Sequence, residues 1–220
     1  MVLDGATRTK FDIYRILIEL SKTNPLFCSE LEFQFYLAWK IKEIYQDNFE
    51  IRIEHPTAQC NGHNRNIDLL LIDRNGGYIP IELKYRTRNL ELQQGKYNFK
   101  LKNHAAEDVT KYGHLKDVSR IEDFKHTESN FQVGYAITIT NQEKAWQRII
   151  DCNKSDYKFS LEDKTRIFKG KKEWSENTSE KTQKSYPPFI LENDYSINWF
   201  EYCNLDCNNG HFKVLVTEIK

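Results

Sequence analysis

The sequence carries no net charge: 32 Lys and Arg stand against 32 Asp and Glu over 220 residues. That balance removes any global electrostatic bias toward nucleic acid or membrane and requires a basic surface, where one is used, to be local. No uncharged apolar run approaches the roughly 20 residues of a membrane span, and the opening MVLDGATRTKFD has no signal-peptide-like apolar segment, so the chain reads as soluble, unsecreted and cytoplasmic, with no membrane partner. Its five cysteines, Cys28, Cys60, Cys152, Cys203 and Cys207, are odd in number and irregularly spaced, which predicts reduced thiols and no disulfide framework. The spacing of Cys203, Cys207 and His211, even with Cys60 and His63 added, is too loose to favour zinc. There is no glycine-rich phosphate loop, no Ser or Cys in a nucleophile elbow and no internal repeat, so nucleotide hydrolysis and acyl transfer have no support.

What is present is a good supply of core-filling side chains: 13 Phe, 12 Tyr and 4 Trp within a 39% hydrophobic chain, enough for one domain over residues 1–220. Helical spacing predicts a first helix over 9–21 and a second over 29–46, the latter opened by the capping-box pattern Ser29-x-x-Glu32. A strand at Ile51–Glu54 and a polar loop follow. The short apolar runs 67–73 and 78–85, separated by Asn75-Gly76-Gly77, read as a β-hairpin. Asn103 is expected to cap a helix to about Asp123, interrupted near Gly113, and Phe131 to Thr140 alternates as a strand. A further helix over 141–150, a hydrophilic mobile loop over 163–186, and closing strands at 197–202 and 212–219 complete the reading.

The hairpin holds an anomaly. Residues two apart on a strand share a face, so Glu82 and Lys84 project together while Ile81, Leu83 and Tyr85 face the other way. Asp68 interrupts the preceding strand in the same fashion, and buried acids are costly unless paired or bound to a cation. A three-residue loop would set Asp68 opposite Lys84 and a five-residue loop opposite Glu82, and either unites the trio; a two-residue loop would place Asp68 against Leu83, on the wrong face. Two carboxylates converging across adjacent strands suit a hard divalent cation, Mg²⁺ or Mn²⁺, with the neighbouring ammonium beside it. An internal salt bridge is the competing reading.

Asp68, then thirteen residues, then Glu82-Leu83-Lys84, following an acid-bearing helix and preceding a helix and an alternating strand, resembles the PD-(D/E)XK nuclease superfamily, and the segments SELEFQFYLAW, IDLLLI, IELKYRTR and GYAITITN resemble an uncharacterised prokaryotic group within it. The resemblance implies an α/β fold: a restriction-endonuclease-like αβββαβ core over about 27–141, with a central mixed sheet flanked by helices and a C-terminal α+β extension over about 142–220. It implies that Asp68, Glu82 and the Leu83 carbonyl hold Mg²⁺ or Mn²⁺, that Lys84 assists the attacking water, and that a glutamate of the first core helix, Glu30 or Glu32, joins them. Ile67 stands where the motif has proline.

From Lys84 to Lys102 the chain carries Lys84, Arg86, Arg88, Lys96, Lys100 and Lys102 against the single acid Glu91. Arg86, Arg88, Lys100, Lys102 and, further on, Lys111 are the candidate contacts to a phosphate backbone. The expected function is a metal-dependent nuclease acting on nucleic acid, DNA by preference, with a homodimer if both strands of a duplex are cut. The alternative is a binding module for nucleic acid or protein on the same scaffold, without cleavage.

Overall fold

The computed structural model describes residues 10–57, 66–104, 106–148 and 154–220. Two helices open the fold, α1 (Ile13–Thr23) and α2 (Glu30–Tyr45). Each is started by a side chain that accepts an otherwise unpaired backbone N–H: Asp12 from Arg15 at 3.1 Å and Ser29 from Glu32 at 3.1 Å. A meander follows, β1 (Phe49–Pro56), β2 (Asn66–Asp73) and β3 (Tyr78–Arg86), then a small hairpin, β4 (Leu90–Gln94) with β5 (Tyr97–Leu101). The long helix α3 (Glu107–Thr127) carries the chain across to β6 (Gly134–Thr140), parallel to β3. The remainder comprises β7 (Thr165–Ile167), β8 (Gly170–Lys172), α4 (Glu180–Ser185), β9 (Phe189–Leu191), β10 (Tyr195–Ile197), β11 (Trp199–Asn204) and β12 (His211–Ile219).

The protein is thus α/β, with a mixed six-stranded sheet in the order β1-β2-β3-β6-β12-β11; from α2 to β6 the order is α2-β1-β2-β3-β4-β5-α3-β6, in which β4 and β5 form a two-stranded sheet of their own. Strand alternation divides the sheet into two packed faces. Leu69, Ile81, Leu83, Ile137, Ile139 and Val214 pack under α1 and α2, where Phe27, Phe33, Leu37 and Ile41 are fully buried. Ala136 and Leu215, on the opposite face, join Leu115, Val118 and Ile121 of α3 and the aromatic residues Phe159, Trp174 and Phe189. Glu82 and Lys84 therefore point toward α3, as the alternation of IPIELKY requires.

Four expectations are corrected. Asn103 does not cap α3, which begins at Glu107 after Ala106, and Gly113 does not break it: a Cβ at Gly113 would lie 3.7 Å from the Lys84 stem, so the glycine sits where the helix passes over β3. Residues 143–145 form only a 3₁₀ turn, because Asn141 is committed elsewhere, accepting from the Arg88 N–H at 2.7 Å and donating to the Asn209 carbonyl at 2.8 Å; residues 149 and 150 of the expected helix lie outside the described residues. The segment 163–186 is built rather than mobile: its three-residue strands pair with β9 and β10, and Trp174 is buried against Phe159 and Tyr112 with its indole N–H on the Tyr186 carbonyl at 2.9 Å. Finally, β11 and β12 close the main sheet, with β12 paired to β6 and β11 at the edge. Residues 197–202 are split between β10, which pairs with β7, and β11, which pairs with β12.

Candidate functional site

The β2–β3 pairing runs from Ile72↔Tyr78 to Leu69↔Ile81, the five-residue register, with Gly76 at φ +79° and the Asp73 carboxylate accepting from the Asn75 and Gly77 N–H groups. One residue beyond Leu69↔Ile81 the ladder stops at Asp68 and Glu82, although both strands continue. Side chains take over the backbone donors of β3 there: Asp68 Oδ2 accepts from the Leu83 N–H at 2.7 Å, and Glu30 Oε2, reaching over from the start of α2, accepts from the Tyr85 N–H at 2.8 Å. The strands form a fork lined by carboxylates. Gln34, buried one turn along α2, steadies it by donating to the Asp68 carbonyl at 2.7 Å and to Glu54 at 3.0 Å.

Lys84 lies between these acids and α3. Its Nζ donates to the Leu83 carbonyl at 2.9 Å, is 3.0 Å from Asp117 Oδ2 and is 3.9 Å from Glu30 Oε1. Glu82 is fully buried, and among the described residues neither of its carboxylate oxygens has a hydrogen-bond donor; Arg120 Nη2 stands 3.0 Å from Oε1 as a charge, without hydrogen-bond geometry. Arg120 spends its hydrogen bond on the Asn66 carbonyl and approaches Asp117 at 3.5 Å. Charges thus alternate along Glu82, Arg120, Asp117 and Lys84.

Burial pushes the Glu82 carboxyl well above the usual carboxylate range, with Asp117 and Asp68 adding to the effect. Burial also raises Asp68, against the pull of Lys84 and the Leu83 N–H, and brings Asp117 up to about 6. Burial by itself would lower Lys84, but Asp117, Glu30, Asp68 and Glu82 together hold it above its ordinary value. Burial and mutual repulsion therefore oppose the simultaneous ionisation of Asp68, Glu82 and Asp117.

Of the sequence candidates, the fork brings together Asp68, Glu82, Lys84, Glu30 and the Leu83 carbonyl. Glu32 is not among them: its carboxylate accepts from the Cys28 N–H, completing the cap of α2. The basic residues divide. Arg88 is paired with Glu107, and Lys100 with Glu91 at 2.9 Å on the exposed hairpin. Lys111 is buried and bound to Asp156 at 2.9 Å, which leaves it no free charge for a phosphate. Arg86, on the same face as Lys84, and exposed Lys102 have no ion pair among the described residues. Cys60 and His63 lie outside the described residues; Cys203 donates to the Pro25 carbonyl at 3.1 Å and His211 contacts Glu201 at 2.8 Å.

Sequence reasoning missed Asp117, Arg120 and His114. His114 is completely buried between Thr138 Oγ1 and Thr217 Oγ1, each at 2.9 Å, and burial drives its pKa down to about 3, so it is neutral. The available signal was the polar stripe Thr110, His114, Asp117 and Arg120 along α3, at spacings of three and four, which marks one helix face. No protein-family model, curated protein or solved structure matches the chain.

The donor set fits a small hard cation. Among the described residues no group of three or more His, Cys, Asp or Glu is arranged to hold a metal ion, but Mg²⁺ is commonly held by one or two carboxylates with water filling the other positions. Two undonated oxygens on a fully buried glutamate, one strand from a second carboxylate, meet that requirement.

Proposed function

We propose that the protein is a metal-dependent nuclease that hydrolyses phosphodiester bonds in nucleic acid, with DNA the first substrate to test. The observation that carries the reading is Glu82: a fully buried carboxylate left without a hydrogen-bond donor, level with Asp68, on a strand whose next inward residue is Lys84. The resemblance of this arrangement to the PD-(D/E)XK pattern supports it.

In this reading Asp68, Glu82 and the Leu83 carbonyl hold Mg²⁺ or Mn²⁺. When bound, the cation supplies a hard Lewis acid that polarises a phosphate oxygen and makes water a better nucleophile. Lys84 lies on the same strand face and keeps its proton through the surrounding acids, so it is a permanent cation that orients a water or stabilises charge on the phosphate. Glu30, about two-fifths exposed, faces the mouth of the fork and is positioned to accept a proton or hold a water there. Arg86 and Lys102, without an ion pair among the described residues, supply positive charge for the phosphate backbone. Cutting both strands of a duplex would require a homodimer or paired sites.

The test is cleavage of labelled duplex, single-stranded, flapped and branched DNA and of RNA with Mn²⁺, beside the Glu82→Gln protein. Cleavage by the wild type that the variant loses supports the reading and identifies the substrate by structure. Equal cleavage by both overturns the site; silence from both, with salt-sensitive binding retained, replaces the enzyme by a binding module.

A further inference from the structure

Resting on that reading of the site, we infer that Arg120 is the resident counter-ion of the candidate metal centre, occupying the charge position at Glu82 that a divalent cation must take over. The geometry sets Arg120 apart from a structural ion-pair partner. A structural arginine meets a buried carboxylate with paired, well-aligned N–H···O bonds. Arg120 instead approaches Glu82 Oε1 to 3.0 Å with neither Glu82 oxygen receiving a hydrogen bond, and gives its Nη2 hydrogen bond to the Asn66 carbonyl. It stands at Oε1 as a charge and forms no hydrogen bond to either Glu82 oxygen.

Arg120 also has somewhere to go. Its side chain is 21% exposed where Glu82 is wholly buried, and Asp117, which it approaches at 3.5 Å, is itself held by Lys84 at 3.0 Å. Withdrawal from Glu82 therefore leaves the guanidinium an acidic neighbour and a path to solvent, while Lys84 keeps Asp117 in place. A guanidinium and a dication cannot share one buried carboxylate cheaply, because like charges a few ångströms apart in such surroundings repel by several times the thermal energy. Cation binding and the Arg120–Glu82 contact are consequently alternatives, and Arg120 is a positioning residue that lowers apparent cation affinity while keeping the cation-free site folded.

The experiment measures Mn²⁺ binding to the full chain by titration calorimetry and by the electron paramagnetic resonance of free Mn²⁺, for the wild type, Arg120→Gln, Arg120→Lys and Glu82→Gln. Arg120→Gln removes the charge and keeps a polar side chain, so it should bind Mn²⁺ about ten-fold more tightly or better, with Arg120→Lys near the wild type and Glu82→Gln losing binding. Unchanged or weaker binding by Arg120→Gln, with wild-type binding intact and dependent on Glu82, overturns the counter-ion role and leaves the nuclease reading standing. Absence of Glu82-dependent binding in every protein removes both. Should Arg120→Gln not fold, the wild type decides: the Arg120 Nε–H resonance, assigned by its loss in Arg120→Lys, should move to saturation with Mg²⁺, and a stationary resonance in a protein that binds Mg²⁺ overturns the inference.

Discussion

Two glutamates are buried against the same helix, and they are treated in opposite ways. Glu122, on α3, is 2% exposed and accepts four hydrogen bonds: from the Glu192 and Asn193 N–H groups, the Asn193 amide and the Tyr195 hydroxyl, the last at 2.7 Å. Glu82, facing α3 from β3, is 0% exposed and accepts none. The first carboxylate ties α3 to the loop before β10 and is saturated by the chain. The second has been paid its desolvation cost with only a charge nearby, an arrangement that stability alone does not select. The same helix thus packs against one acid that the chain saturates with hydrogen bonds and one that receives none among the described residues.

The sharpest way to break that comparison is activity. On the proposed function, Glu82→Gln and Asp68→Asn should lower Mn²⁺-dependent cleavage by about 10³-fold or more, since each would remove a charge that the reading assigns to holding the cation. Glu122→Gln, assayed where it is folded, should stay within a few-fold of the wild type. Equal losses in all three, measured as kcat/KM on the preferred substrate, would erase the distinction.

Stability should reverse the ranking. An amide at position 122 turns one acceptor oxygen into a donor facing donors, so Glu122→Gln should lower the unfolding free energy by about 3 kcal/mol in urea melts, the scale of breaking a buried charged network. Glu82→Gln removes a charge whose burial is costly and should leave the melting temperature unchanged or raised. A Glu82→Gln protein as unstable as Glu122→Gln would mean that Arg120 contributes far more at Glu82 than its geometry indicates.

The hairpin and the shared face of Glu82 and Lys84 were legible because they depend on the strict two-residue period of a strand and on the turn chemistry of Asn75-Gly76-Gly77. Glu30 and Glu32 were separable in part: the capping box accounts for Glu32, but only the docking of α2 on the sheet shows that Glu30 reaches the Tyr85 N–H. Asp117 and Arg120 were not legible, since a polar stripe on α3 reads as solvent-facing until the sheet places Glu82 and Lys84 beneath it. The 163–186 segment read as a loop because strands of three residues are too short to show a period, and its burial depends on an isolated aromatic, Trp174.

A smaller effect concerns pH. His114 is buried neutral, with its pKa depressed from 6.5 to about 3, so the unfolded chain binds a proton over that interval and the folded chain does not. The stability tied to neutral His114 is fully present above about pH 6.5 and is lost as pH falls toward 3. Asp117, raised to about 6, acts with the opposite sign, since its folded form holds a proton that the unfolded form releases between roughly pH 4 and 6. Urea melts of His114→Gln from pH 7 to pH 4 should show less acid destabilisation than the wild type by up to a few kcal/mol. An unchanged slope would mean that His114 is not the buried base.

The smallest effect is expected among the basic side chains, where the fold distinguishes residues that composition alone treats alike. Arg86 and Lys102 have no ion pair among the described residues, whereas Lys100 is held by Glu91 at the surface and Lys111 is bound to Asp156 in the interior. Arg86→Ala and Lys102→Ala should each weaken duplex binding a few-fold and reduce the salt slope by about 0.9, the signature of one lost phosphate contact. Lys100→Ala should change either quantity less, because Glu91 already holds the Lys100 charge. Lys111→Ala should leave the slope unchanged and act through stability, by stranding Asp156. Binding isotherms at several salt concentrations separate the cases: a slope change in Lys111→Ala equal to that of Arg86→Ala would place Lys111 on the nucleic-acid path and require its ion pair with Asp156 to open on binding.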